Sequence, residues 1–126
     1  MDLRGGRSSA SHLIMPNDTN PLGNLFGGRA VEWMDIAAGL AAMRLSHKVA
    51  VTASIERLDF RVPIRLGDIA VVESEVISVG RSSLLVKVDM YRDNPRRASR
   101  ELCTSGLFHM VALDESGRPA PVFDEA

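Results

Sequence analysis

From residue 49 onward the chain alternates. Val49, Val51, Ala53 and Ile55 take turns with Ala50, Thr52, Ser54 and Glu56, and the run continues to Phe60. A period of two puts successive side chains on opposite faces of a strand. Pro63 and Gly67-Asp68 end the run, because proline lacks a ladder donor and glycine opens turn conformations. Three more strands obey the same rule. They are Ile69 to Val79, closed by Gly80; Ser82 to Tyr91, where Leu84, Val86 and Val88 oppose Leu85, Lys87 and Asp89; and Ser99 to Leu113, closed by Asp114 to Gly117. A short strand at Ser11 to Met15 brings the predicted number to five.

A different pattern governs Arg29 to Leu45. It has no proline, alanine and leucine dominate, and Gly39 is its only interior glycine, so helix is the favoured conformation. Apolar residues occur almost all round it, which predicts a helix enclosed by other structure. Charge interrupts it too often for a membrane span. Short turns between successive strands predict an antiparallel meander with the helix on its concave face. That is an α+β fold, in one domain of residues 1–126. Residues 1–10, small, basic and polar, are expected to form a flexible tail.

Asp35 lies inside the apolar helix with Val31 and Gly39 four residues away and Glu32 and Ala38 three away. No basic neighbour on the same helix can pair with it. A buried unpaired carboxylate is costly. Such a group either finds a distant donor or serves as a catalytic base. The preceding loop, Asn17 to Gly23, is built of turn formers, and Gly27-Gly28 stands at the expected helix start. Unpaired backbone N–H groups and the positive dipole end favour an anion there. Gly28 and Asp35 are seven residues apart, roughly 10 Å along a helix, too far to hold one small carbonyl between them. Two copies with antiparallel helices would bring Asp35 of one chain to the loop and helix start of the other.

Charge and cysteine usage narrow the function classes. Fifteen Lys and Arg oppose sixteen Asp and Glu, so net charge gives no case for nucleic acid or an anionic membrane surface. Cys103 is the only cysteine, which excludes an intrachain disulfide and fits a reducing compartment. It lies in an apolar run and reads as core. The opening MDLRGGRSSA has no apolar run, so a cytoplasmic location is expected. There is no G-x-S-x-G elbow, and His12, His47 and His109 are scattered without metal-ligand spacing.

Three segments, MPNDTNPLGNLFGGRAVEWMDIAAGLAA, VTASIERLDFRVPIRLGD and VGRSSLLVKV, together resemble the hotdog-fold acyl-CoA thioesterases. The likeness is to the bacterial acyl-CoA hydrolase branch related to the cytosolic long-chain (brain-type) enzymes, and it runs from about Ser11 to Asp114. It implies a five-stranded antiparallel sheet wrapped around one long central helix, and hydrolysis of acyl-CoA to free fatty acid and coenzyme A. It implies self-association as a dimer, or as a trimer of dimers, with the site shared between two subunits. Asn20 and Asp35 match the catalytic pair of that family, with Gly28 as a backbone oxyanion donor. In the mechanism the resemblance implies, Asp35 would act as general base for a water or as a nucleophile on the thioester, and Asn20 would orient the water or the carbonyl oxygen. Coenzyme A, which is part of the substrate, falls to Thr52, Ala53, Ser54, Gly80, Arg81, Ser82 and Ser83. No metal or other cofactor is implied. Arg29 departs from the apolar residue many relatives carry. A non-catalytic acyl-CoA binding or sensing module of the same fold is the alternative, and it needs the pocket without Asp35. A dehydratase of this fold calls for a histidine in the loop and helix region, and none occurs between His12 and His47.

Overall fold

The computed structural model describes residues 2–124. Strand β1 spans Arg7–Leu13, helix α1 Gly27–Ser46, β2 Val49–Phe60, β3 Ile69–Val79, β4 Ser83–Asn94 and β5 Ser99–Leu113. A single 3-10 turn, Pro16–Asp18, interrupts the loop ahead of the helix. All five strands join one sheet in the order β1-β3-β4-β5-β2, each pair antiparallel.

That order corrects the simple meander. Only β3, β4 and β5 are consecutive neighbours; β2 crosses to the far edge beside β5. The segment 61–68 carries the crossing. The N–H groups of Arg61 and Val62 both donate to the Cys103 carbonyl, at 2.8 and 3.2 Å, which fastens the crossing to β5.

The expected N-terminal tail is also corrected. Residues from Arg7 onward form the other edge strand, in register with β3 from Arg7 opposite Glu75 to Leu13 opposite Ile69. Gly6 is buried, and its carbonyl accepts from Val76 N–H at 2.8 Å. A Cβ on Gly6 would sit 2.7 Å from Val76 Cγ2 and 3.2 Å from Leu45 Cβ. Small polar residues belong in this strand because its inner face meets the helix closely. Ser8 and Ser74 hydroxyls lie 2.5 Å apart and converge on the Ala37 carbonyl, at 3.1 and 2.7 Å. Gly6→Val is expected to cost about 1–3 kcal/mol through overpacking of a β-branched neighbour, read as a lower urea midpoint at an unchanged slope.

The core lies between the helix and one face of the sheet. Ala30, Met34, Ala37, Ala38, Ala41, Ala42 and Leu45 form the buried helical stripe, and four alanines in its middle let the helix approach the sheet. Against it pack Val72 and Val76 of β3, Leu84, Val86, Val88 and Met90 of β4, and Phe108 and Met110 of β5. The outer face carries Glu73, Glu75, Lys87 and Asp89 at alternating positions, so register separates core from charge.

The helix is not enclosed within one chain, contrary to its all-round apolar pattern. Ile36 is 54% exposed and Met43 37%. Edge strand β2 likewise shows Val51 at 43% and Phe60 at 54%. The sheet covers one side of the helix only, and the remaining apolar surface lies on the outer helix face and on an edge with unpaired backbone groups.

Candidate active site

The loop before the helix is fixed by its own backbone. Asn20 N–H donates to the Asn24 carbonyl at 2.8 Å, and the Asn20 side-chain oxygen accepts from Leu22 N–H and Asn24 N–H at 3.0 and 3.2 Å. Both partners are donors, so the oxygen of Asn20 must face them and the Nδ2 group points away as a donor. The loop is then moored to the crossing segment, where Leu25 N–H donates to the Ile64 carbonyl at 2.6 Å and Leu66 N–H to the Gly23 carbonyl at 3.0 Å. Gly23 sits at φ +79°, a turn conformation natural to glycine.

At the helix start, the N–H groups of Arg29 and Ala30 both donate to the Phe26 carbonyl at 3.0 Å. Those of Gly27 and Gly28 have no acceptor among the described residues, which leaves the two free donors expected at a helix N-terminus. A Cβ on Gly28 would stand 2.8 Å from the Phe26 ring, so any side chain there would displace that ring. Arg29, the departure from the family pattern, has a structural use. Its guanidinium lies 3.5 Å from Asp18 and 3.6 Å from Glu32, and Asp18 in turn accepts from Met15 N–H at 2.9 Å.

Asn20, Asn24, Gly27 and Ala30 line a cleft of about 420 Å³, closed on its other side by Phe60, Val62, Pro63, Ile64 and Thr104. Asp35 is not part of it. The carboxylate stands two turns further along the helix, half-buried, and Thr52 Oγ1 donates a short hydrogen bond to Asp35 Oδ1. The same hydroxyl lies 3.4 Å from Met110 Sδ. Asp35 is therefore not unpartnered: its donor is a neutral hydroxyl from β2 rather than an arginine. A β-bulge accompanies this contact. Thr52 pairs with Met110 and Ser54 with His109, which leaves Ala53 as the extra residue. Bulges of this kind re-aim side chains at sheet edges.

The turn from Gly80 to Ser83 is a tight connection between β3 and β4. Gly80 N–H donates to the Ser83 carbonyl at 2.9 Å, the Ser82 carbonyl accepts from Ala112 N–H at 2.8 Å, and the Arg81 carbonyl accepts from Val122 N–H at 2.7 Å. Gly80, Arg81 and Ser83 are exposed and Ser82 is half-buried. By register, Thr52 faces Met110, Met110 faces Leu84 and Leu84 faces Val79. Thr52, Ala53, Ser54 and the Gly80–Ser83 turn thus share one end of the sheet. The Asn20 loop, against Phe60, Ile64 and Thr104, is at the other.

Within one chain the structure brings Asp35 to Thr52 and keeps Asn20 and Gly28 apart from both. Thr52 as a partner of Asp35 had no signal in the sequence, since a strand-to-helix contact seventeen residues apart has no local period. The remaining candidates are structural. Burial pushes the Cys103 thiol above its usual range, so it is a poor thiolate source. His12 stacks on Trp33 with ring centroids 4.1 Å apart, and burial pulls its imidazole down against the opposing pull of Asp18. His47 caps the helix in the left-handed conformation, φ 58°.

Residues 22–99 match the family model of the Thioesterase superfamily. The uncharacterized acyl-CoA thioester hydrolase YkhA of Bacillus subtilis is 38% identical over 86% of this chain, and the chain spans 63% of the length of that relative. A solved structure described as an apo-hexameric acyl-CoA thioesterase superimposes with a TM-score of 0.93, at 36% identity over 100% of this chain and 82% of the other. Acyl-CoA hydrolase from Staphylococcus aureus, solved with butyryl coenzyme A and coenzyme A, gives a TM-score of 0.91 at 29% identity, over 98% and 78% of the two chains. Structures of that hydrolase include separate alanine variants at an asparagine, at an aspartate fifteen residues further on, and at a threonine another seventeen along. With one helix lying across a five-stranded antiparallel sheet and the family match running through the helix and strands β2, β3 and β4, this chain belongs to the thioesterase superfamily.

Proposed function

We propose that the protein hydrolyses acyl-CoA thioesters at a site assembled from two copies of the chain. The observation that carries this reading is a helix carboxylate, Asp35, held by Thr52 at an open sheet edge, while the donors suited to a thioester carbonyl stand elsewhere in the same chain. The spacings that separate Asn20, Asp35 and Thr52, fifteen and seventeen, equal those of the three positions varied in the Staphylococcus hydrolase.

The chemistry needs little equipment. The thioester oxygen lies against the free N–H groups of Gly27 and Gly28 and the Nδ2 donor of Asn20, which stabilise the oxyanion as it forms. From the other subunit, Asp35 either takes a proton from the attacking water or attacks the carbonyl itself, forming an anhydride that water then opens. The thiolate of coenzyme A leaves without a strong acid. Thr52 holds Asp35 in the orientation either route requires, and so it is a positioning residue. Thr52→Val is expected to lower kcat about tenfold with KM little changed, since the variant keeps the β-branched shape and loses only the donor.

Two further features support self-association. Ile36, Met43, Val51 and Phe60 are apolar and exposed, and β2 is an unpaired edge. Pairing the β2 edges about a two-fold axis extends the sheet, covers the helix and sets the two helices antiparallel. Three such dimers make a hexamer of the kind described for the structural relative. Arg81, at the exposed turn, supplies a guanidinium for the phosphates of coenzyme A. Arg81→Ala is expected to raise KM for CoA esters about tenfold while leaving KM for an N-acetylcysteamine thioester unchanged.

Thiol release from acyl-CoAs of short, medium and long chain, followed with purified protein, tests the reading directly. Turnover with a chain-length preference supports it. Binding of CoA esters without any turnover sinks it in favour of a sensing module.

A further inference from the structure

We infer that Val122 is a positioning residue for coenzyme A: its N–H fixes the turn that carries Arg81, and residues 119–124 form a strap that holds this part of the site in place. The inference rests on the reading above, in which the Arg81 guanidinium meets the phosphates. After Gly117 the chain runs Arg118, Pro119, Ala120, Pro121, Val122, Phe123, Asp124. Prolines at alternate positions keep such a segment extended and have no N–H to offer, so Ala120 and Val122 are left as its donors. Both are used. Ala120 N–H donates to the Ala112 carbonyl of β5 at 2.9 Å, and Val122 N–H to the Arg81 carbonyl at 2.7 Å. The same alternation sorts burial, for Ala120 and Val122 are buried while Pro119 is exposed and Pro121 half-buried. Val122, 1% exposed, belongs to the core, and Phe123 packs against it. Beyond them Asp124 pairs at 2.8 Å with Lys48, just past the helix end. The strap thus ties together the end of β5, the β3–β4 turn and the end of the helix.

The turn gains a second anchor in this way. Its Ser82 carbonyl is held from β5, by Ala112, and its Arg81 carbonyl from the strap. A guanidinium on a loose turn loses backbone freedom when it takes up a phosphate, and an anchor that fixes the turn beforehand lowers that cost. The gain falls on binding alone. The phosphates of coenzyme A are many bonds from the thioester, so they are held equally in the ground state and the transition state, which moves KM and leaves kcat. Only substrates that carry the phosphates feel it.

The test compares butanoyl-CoA with the butanoyl thioester of N-acetylcysteamine, which has no phosphates, on wild type, Val122→Pro, Val122→Gly, Arg81→Ala and the double variant Val122→Pro/Arg81→Ala. The Kd of coenzyme A is measured by calorimetry on each, because it needs no turnover. Val122→Pro removes the donor and is expected to raise both KM for butanoyl-CoA and Kd for coenzyme A about fivefold, with kcat and the KM of the short thioester unchanged. Val122→Gly keeps the N–H but frees the strap, and should show the same split at about threefold; it decides the matter alone should the proline variant not fold. In the double variant the Kd should be no weaker than in Arg81→Ala, because two residues that act through one contact do not add. Three results overturn the proposal: a lower urea midpoint with KM and Kd unmoved, a rise shared by the short thioester, or effects that multiply in the double variant. No effect of Arg81→Ala on Kd also overturns it, and leaves the thioesterase reading to stand on the turnover of butanoyl-CoA. Wild type that binds coenzyme A without turnover, with the Kd shifts as expected, keeps the strap and removes the thioesterase reading.

Discussion

Asp35→Ala is expected to lower kcat for acyl-CoA hydrolysis by about a thousandfold or more, with the fold and assembly intact. General base catalysis is worth roughly 10²–10⁴ in rate, and a nucleophile that forms a covalent intermediate is worth at least as much. The carboxylate is half-buried and its side-chain hydrogen bond is with Thr52, so little packing is lost with it. Alanine also raises helix propensity at that position. The expected result is a protein of unchanged size and similar urea midpoint that still binds coenzyme A and does not turn over its esters. Asp35→Asn should behave alike, because the amide keeps the shape and the contact with the Thr52 hydroxyl while losing the basic oxygen. Activity within tenfold of wild type in both variants would remove Asp35 from the chemistry, whatever the family match.

How much of this was legible follows from the range over which each signal acts. The helix was legible because propensity and the absence of proline act locally. Its observed start at Gly27 rather than Arg29 shows glycines serving as the first turn. Strand positions in β2 to β5 followed from alternation. Strand order did not, since alternation is blind to which neighbour a strand pairs with, and β2 lies beside β5 at the edge far from β1. The N-terminal strand was expected at Ser11 to Met15 and runs from Arg7 to Leu13; its first residues were missed because Gly6, Ser8 and Ser9 resemble a tail in composition, and the size of Gly6 and Ser8 is explained only by close packing on Val76 and the Ala37 carbonyl. In the site, Asp35 and the Gly27-Gly28 helix start stood out by their chemistry and position in the apolar helix, while Asn20 came from the resemblance. The hydrogen bond from Thr52 is a tertiary fact with no sequence period to betray it. The exposed apolar positions Ile36 and Met43 reconcile a helix that is apolar all round with a sheet that covers one side.

That last reconciliation yields the sharpest expected result. Asn20→Ala removes a carbonyl donor and should cost about 10²–10³ in kcat, and Asp35→Ala at least as much, so each variant alone is nearly inactive. If the site takes Asn20 and Gly28 from one chain and Asp35 from its partner, co-expressed variants regain activity. Random pairing makes half of the dimers mixed, and each mixed dimer holds one site with both residues intact and one site lacking both. Activity should therefore return to about a quarter of wild type, at least about 25-fold above either parent. A site contained within one chain gives a different result, because every copy then carries a defect and the mixture stays at the average of the two parents. Assembly into hexamers leaves the fraction unchanged as long as each site draws on one dimer. The roughly 10 Å along the helix between Gly28 and Asp35 makes the same distinction physically: one thioester cannot span it within a protomer, whereas two antiparallel helices bring the free N–H groups of one against the carboxylate of the other.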